Sequence, residues 1–434
     1  MQSLRVCCTA LATVLVLCLA QPLLWAQSSD AAEVEKRVAD LEKQLEVLRS
    51  ELASLKESKP ADTPPAQALT PAAESTTPAA SAPRPLAGIE SVLHGATLTG
   101  LVDTYYAINL NHPKGRTSQY RAFDGPTNQF ALNLVTLTLD KQPDPNNSRL
   151  GYHLAAGFGQ AMNAVNSTDP GGLGFSQYLK EAYFSYLAPA GKGLQVDVGK
   201  FVTPHGAEVI ETHANWNYSR GLLFSYAIPY YHYGARARYV FNDKYAVTAY
   251  LVNGWNNVVD SNSGKTFGVT FAWIPSKKLS IVQNYMVGPE RAGTDANWRQ
   301  LSDTVITFSP AIRLTFVANA DYGRGDRIEG LNRPVFWTGG AGYIRYQLNP
   351  KLAFSTRYEY YNDHDGFTTG TAQHISEVTG TLERRIAQHL LTRLEYRHDF
   401  SNQPTFLRGS TPSNRQSTIA AGLIFLLETG ETKQ

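Results

Sequence analysis

The chain has 434 residues, 43% of them hydrophobic and 18% charged, and its 39 Lys plus Arg against 37 Asp plus Glu give no electrostatic ground for a nucleic-acid partner. Its three cysteines, Cys7, Cys8 and Cys18, all lie in the apolar N-terminal stretch, so the remainder can build neither a disulfide framework nor a thiolate metal centre. A mean hydropathy of −0.27 is too polar for a bundle of membrane helices, whereas a barrel shows lipid only alternate side chains and tolerates it.

Residues 1–26 read as a signal peptide. Arg5 supplies the charge, Val6 to Ala20 the apolar run, and Leu24-Trp25-Ala26 a cleavage site before Gln27. Residues 27–58 carry Val34, Val38, Leu41, Leu45, Leu48, Leu52 and Leu55 at a strict 4-3 spacing, the a/d seam of a coiled-coil helix. Glu35, Arg37, Glu42, Arg49, Glu51 and Lys56 flank it at e and g. The periodicity leaves open a single amphipathic helix lying on another surface. Residues 59–92 are rich in Pro, Ala and Thr, cannot bury enough apolar area to fold, and read as a disordered linker. Helix and linker would then stand in the periplasm.

From residue 93 to 434 the pattern changes to short alternating segments, which predicts an all-β fold, a transmembrane antiparallel β-barrel of about 16 strands. Strands are expected near 97–108, 129–140, 148–159, 177–187, 193–202, 231–241, 243–252, 264–274, 277–287, 298–308, 311–322, 335–348, 351–361, 374–386, 389–400 and 415–427. Each is long enough to cross a bilayer when tilted. Seven short connections, Asn242-Asp243 and Asn349-Pro350 among them, alternate with eight longer polar ones. Sixteen strands with both ends in the periplasm require that arrangement; 14 or 18 would survive modest redrawing.

Parity then separates the faces. Leu352, Phe354, Tyr358 and Tyr360 oppose Ser355, Arg357 and Glu359; Leu390, Leu394 and Tyr396 oppose Arg393, Glu395 and Arg397. An Arg facing lipid at the bilayer midplane costs roughly 2 to 4 kcal/mol. Asp103, Arg236, Arg238, Arg313, Arg345, Arg357, Glu359, Arg393, Glu395 and Arg397 are therefore expected on the wall of a water-filled pore. The third long connection, about Thr203 to Tyr230, concentrates His205, Glu208, Glu211, His213, Trp216, Tyr218 and Arg220. A loop bent inward would set the narrowest radius and the local field, with His205, Glu208, Glu211, His213 and Arg220 as its titratable members. The competing expectation is an ordered outer loop. The spacing of its histidines and glutamates matches no metal motif, and no nucleophile–base pair stands out, so neither a metal, a cofactor nor a catalytic residue is expected.

The segments Gly100-Leu101-Val102-Asp103-Thr104-Tyr105-Tyr106 and Val198-Gly199-Lys200-Phe201-Val202-Thr203-Pro204-His205-Gly206-Ala207-Glu208 resemble the OmpL-like β-barrel porin-2 family. So do Asn217-Tyr218-Ser219-Arg220, Ile228-Pro229-Tyr230-Tyr231-His232, Val252-Asn253-Gly254-Trp255-Asn256-Asn257 and Gly288-Pro289-Glu290. The resemblance implies a porin of the outer membrane. It carries over no catalytic residue. The expected function is passive diffusion of small hydrophilic solutes through a homotrimer embedded in outer-membrane lipid. The alternative is a structural protein that tethers the envelope through its coiled coil, and a barrel lipase ranks third.

Overall fold

The computed structural model describes residues 93–325, 331 and 333–429. The signal, the heptad seam and the Pro-rich linker lie outside them. Sixteen strands form one closed antiparallel barrel: β1 (Thr97–Asn109), β2 (Phe130–Lys141), β3 (Leu150–Phe158), β4 (Leu179–Ala188), β5 (Leu194–Val202), β6 (Tyr231–Asn242), β7 (Tyr245–Val252), β8 (Thr266–Ser276), β9 (Leu279–Pro289), β10 (Trp298–Ala311), β11 (Leu314–Gly325), β12 (Val335–Asn349), β13 (Leu352–Asp363), β14 (Gln373–Ala387), β15 (Leu390–Ser401) and β18 (Arg415–Thr429). A two-stranded hairpin, β16 (Phe406–Arg408) and β17 (Thr411–Ser413), sits in the last outer connection. Each strand pairs with its sequence neighbour, and β18 closes on β1 with Val102 opposite Phe425. Closure leaves no sheet edge in the hydrocarbon.

The turn residues explain the tight rim. Asn242 Oδ1 accepts the Lys244 and Tyr245 amides at 2.9 and 3.1 Å, and Asn349 Oδ1 accepts the Lys351 amide at 2.9 Å, so a side chain closes each turn as an Asx turn does. One expectation changes here. Arg313, assigned to the pore wall, stands exposed in the turn between β10 and β11, because β11 begins only at Leu314.

Alternation appears as burial. On β13, Phe354 and Tyr358 are 46% and 53% exposed on the outer face, while Ser355, Arg357 and Glu359 are fully buried on the inner one. Outer side chains meet lipid. The inner face encloses a second apolar cluster in which Leu222, Leu223 and Phe224 pack with Phe123, Trp337 and Tyr361. Outer connections supply much of it. A short helix, Gln160–Asn166, adds Ala161, Met162 and Val165 from the connection after β3.

Candidate functional site

The connection between β5 and β6, residues 203–230, turns into the lumen and is hereafter loop 3. Its base is closed where the Thr203 amide donates to the Tyr230 carbonyl at 3.0 Å. Gly206 follows with φ +87, a backbone region that suits glycine, and a Cβ there would lie 2.7 Å from Ile228 Cδ1. A buried loop has no ladder to satisfy its peptide groups, so the wall must supply partners.

It does so by charge type. Wall carboxylates and amides take the loop's N–H groups: Gly206 donates to Asp303 Oδ2 at 3.0 Å, Ala207 to Asn319 Oδ1 at 3.1 Å, Tyr218 and Ser219 to Glu395 at 2.5 and 3.0 Å, and Leu222 to Glu359. Wall arginines take the carbonyls. Arg357 donates to Ser219 at 2.7 Å, Arg393 to Thr212 at 2.6 Å and Asn217 at 3.1 Å, and Arg397 to Arg220 at 2.7 Å. Asp103 on β1 receives the Tyr218 hydroxyl at 2.9 Å and the Thr212 hydroxyl. Loop 3 therefore crosses from β5 to the walls built by β10, β11, β13, β15 and β1.

This arrangement differs from the expectation of a wet wall. Asp103, Arg357, Glu359, Arg393, Glu395 and Arg397 point inward as parity requires, but each is buried against loop 3 instead of facing water. Arg345 pairs with Glu383 at 2.6 Å and Arg236 with Asp197 at 2.7 Å, both half-buried. Arg238 is exposed.

The loop's own residues divide in the same way. Glu208 accepts from Arg357 at 2.5 Å and from the Gly221 amide at 2.6 Å, and Arg220 donates to the carbonyls of Tyr218 and Ile210. Both are internal fasteners. His205 is buried beside Thr203, whose hydroxyl lies 3.1 Å from His205 Nδ1 and 3.2 Å from His232 Nε2. Burial lowers its pKa to about 4.

Of the five expected residues of loop 3, Glu211 and His213 line open space. They border a cavity of about 460 Å³ with Thr136, Thr138, His153, Lys180 and Glu181. Lys180 Nζ bridges Glu211 at 2.5 Å and Glu181 at 2.7 Å, and His153 contacts Glu181 at 3.3 Å and Asp140 at 2.8 Å. Sequence reasoning missed Lys180 and His153. Parity marked Glu181 and its strand as inward-facing, but no local signal joins them to a loop some thirty residues away.

A second recess of about 480 Å³ opens on the other side of loop 3, where Ser225, Tyr226, Ile228 and Tyr230 face residues of six further elements. Trp255 and Phe367 flank Arg299 in its wall, with the guanidinium 4.8 and 5.1 Å from the two ring centres. Asp169 fixes this end by accepting from the Tyr231 hydroxyl at 2.7 Å and the Val258 amide at 3.1 Å.

No curated protein matches the chain. Among solved structures, an anion-selective porin from Comamonas acidovorans superposes with a TM-score of 0.53 at 10% identity, over 76% of this chain and 99% of that one. The outer membrane channel DcaP of Acinetobacter baumannii gives 0.50 at 12% identity, over 76% and 97%. OmpF of Salmonella typhi in complex with daunomycin also gives 0.50 at 12%, with the same coverage. At such identities the likeness is one of fold. Residues 95–427 match the family described as "Putative beta-barrel porin-2, OmpL-like". With that match laid over a closed sixteen-strand barrel whose third loop enters the lumen, the chain belongs to the OmpL-like β-barrel porin-2 family and is a non-enzymatic diffusion channel of the outer membrane.

Proposed function

We propose that the pore of this porin is set by loop 3, and that solutes pass it beside Lys180, Glu211 and His213. The observation that carries this reading is the double fastening of the loop, N–H groups on wall carboxylates and carbonyls on wall arginines, which leaves Glu211 and His213 at open lumen. A carboxylate bridged to a lysine and flanked by imidazoles makes a field across the path, which sorts small hydrophilic solutes by charge as well as by size. Single-channel recording of the mature protein in planar bilayers, with reversal potentials under a KCl gradient, tests it. Discrete steps whose selectivity changes in Lys180→Gln support the reading; absence of steps overturns it.

Copies of the barrel associate as a trimer in this proposal, through the outer face of β9 to β12. There Gln283 donates to Ser302 at 3.1 Å and accepts from Thr304 at 2.6 Å, and Ala318, Ala320, Gly340 and Gly342 leave the adjoining surface bare. Small and hydrogen-bonding residues at membrane depth favour close protein contact over lipid. The heptad seam at 27–58, in the periplasm, adds a second means of association.

A further inference from the structure

Cations on the outer connections are treated in two ways. Exposed Lys265 and Arg333 each meet a carboxylate, Asp260 at 2.6 Å and Asp365 at 2.5 Å. Arg408, at the tip of the hairpin of β16 and β17, and Arg415, the first residue of β18, are also exposed, yet among the described residues neither guanidinium has an ion-pair or hydrogen-bond partner. Lys114 and Arg116 of the first outer connection are exposed and unpaired in the same way. Residues 109–120 and 400–417 hold all four of these cations and no Asp or Glu. Nothing local neutralises them.

Their position bears on what could. Arg415 stands directly opposite Phe400 in the pairing of β18 with β15, so the two share a face of the sheet. That face is the lipid-facing one, since Leu394, Tyr396 and Phe400 are exposed while Arg393, Glu395, Arg397 and Asp399 between them are buried. Phe400, Arg408, Ser413 and Arg415 line a recess of about 690 Å³ at the outer end of this wall. The hairpin over it is tied down. Phe406 is buried and meets Tyr120 edge-on at 5.6 Å, the Lys114 amide donates to the Gly409 carbonyl at 2.9 Å, and the Gly409 amide donates to the Asn111 carbonyl at 3.0 Å. Asn111 also donates its side-chain amide to the Arg415 carbonyl at 2.6 Å. Lys114 is thereby held beside the hairpin tip.

A guanidinium matches a phosphate with two parallel N–H groups, and clustered basic side chains next to a bilayer draw anionic headgroups. A soluble anion has no use for the aromatic floor, whereas a lipid would lay a chain along it. We propose that this recess seats a multiply phosphorylated lipid headgroup of the outer leaflet, with Arg408 and Arg415 pairing the phosphates and an acyl chain running down β15 over Phe400 and Tyr396. The recess lies outside the face of β9 to β12, so association through that face leaves it open to lipid.

Diphosphoryl lipid A and phosphatidylethanolamine, added to the mature full-length protein in detergent and read by native mass spectrometry, test the assignment. Lipid A should be retained at a concentration about tenfold below phosphatidylethanolamine, and Arg408→Gln with Arg415→Gln should bring the two lipids level. Heat-modifiable migration should stay as in the wild type, because neither side chain has an internal partner. Arg408→Glu alone, in the hairpin and off the barrel wall, should weaken lipid A at least about fivefold. Lys265→Gln, which changes a paired cation elsewhere on the rim, should leave it unmoved. Equal retention of the two lipids, unchanged lipid A binding in the arginine variants, or an equal loss in Lys265→Gln overturns the site. Displacement of lipid A by millimolar inorganic phosphate would overturn the lipid assignment in favour of a soluble anion.

Discussion

Glu395, on β15, accepts the Tyr218 amide at 2.5 Å, a strand carboxylate completing the backbone of a loop that enters the barrel from the opposite wall. The same carboxylate takes the Ser219 amide at 3.0 Å and the Thr381 hydroxyl at 2.7 Å. Glu395→Gln replaces one acceptor oxygen with a donor and leaves a buried N–H unsatisfied, a loss of about 1 to 3 kcal/mol that falls on loop 3 alone. Hydrogen exchange should quicken across residues 212–222 and open-channel noise should rise, while heat-modifiable migration stays as in the wild type. Unchanged exchange there would remove Glu395 as a fastener.

Glu208 and Glu211 are three residues apart and should behave differently. Glu211→Gln frees Lys180 of one of its two carboxylates and should move the reversal potential toward anion preference. Glu208→Gln instead weakens the charge-assisted bond to the buried Arg357 and should act as Glu395→Gln does, through noise and exchange. If Glu208→Gln shifts the reversal potential as much as Glu211→Gln, the division between fastener and lining residue is wrong.

Gly422 lies under the Tyr218 ring, and a Cβ there would come within 2.4 Å of Tyr218 Cδ2. Gly422→Val should expel that ring, break its bond to Asp103 and widen the pore. Conductance would increase with the barrel intact. A conductance equal to wild type would show that the ring is not part of the restriction.

The sequence made the barrel legible because alternation has a period of two and the turns carry their own chemistry, as Asn242 and Asn349 show. It marked which face of β13 and β15 points inward. What fills that inward space has no local signature, so Arg357, Arg393 and Arg397 were expected in water when they hold peptide carbonyls. The helix Gln160–Asn166 escaped notice for a related reason. It is too short for a periodic stripe to emerge, and Met162 and Val165 are apolar for the sake of distant partners.

His205 supplies the pH test. Its folded pKa of about 4 lies below the ordinary value near 6.5, because burial disfavours the imidazolium. The unfolded segment therefore binds a proton that the folded one refuses. The stabilisation is complete above pH 6.5 and is lost progressively as pH falls to about 4, by up to about 3 kcal/mol. Exchange of residues 203–211, corrected for intrinsic rates, should accelerate over that window, and His205→Gln should lessen the acceleration, leaving the part due to the buried His232 on the same Thr203 hydroxyl. A wild-type profile already flat between those limits would refute the buried, neutral ring.

Ala320→Trp or Gly342→Trp places bulk on the outer face of β11 and β12. If the barrel associates as proposed, either should convert the trimer to monomers in native electrophoresis or light scattering, with the single-barrel conductance step retained. Persistence of the trimer would move the interface elsewhere on the wall.

The 3.0 Å bond between Thr203 and Tyr230 holds the two ends of loop 3 side by side. A finger tied at its knuckle can be laid into a ring that has already shut. The wall groups from β1 and β15 that receive it are far apart in sequence and come together through the closure of β18 on β1, so a loop seated on both would be the last piece laid in. In that order of assembly Asp103, Arg357 and Arg393 would sit beside water at little cost before the loop reaches them, and a wide bore would precede the narrow one.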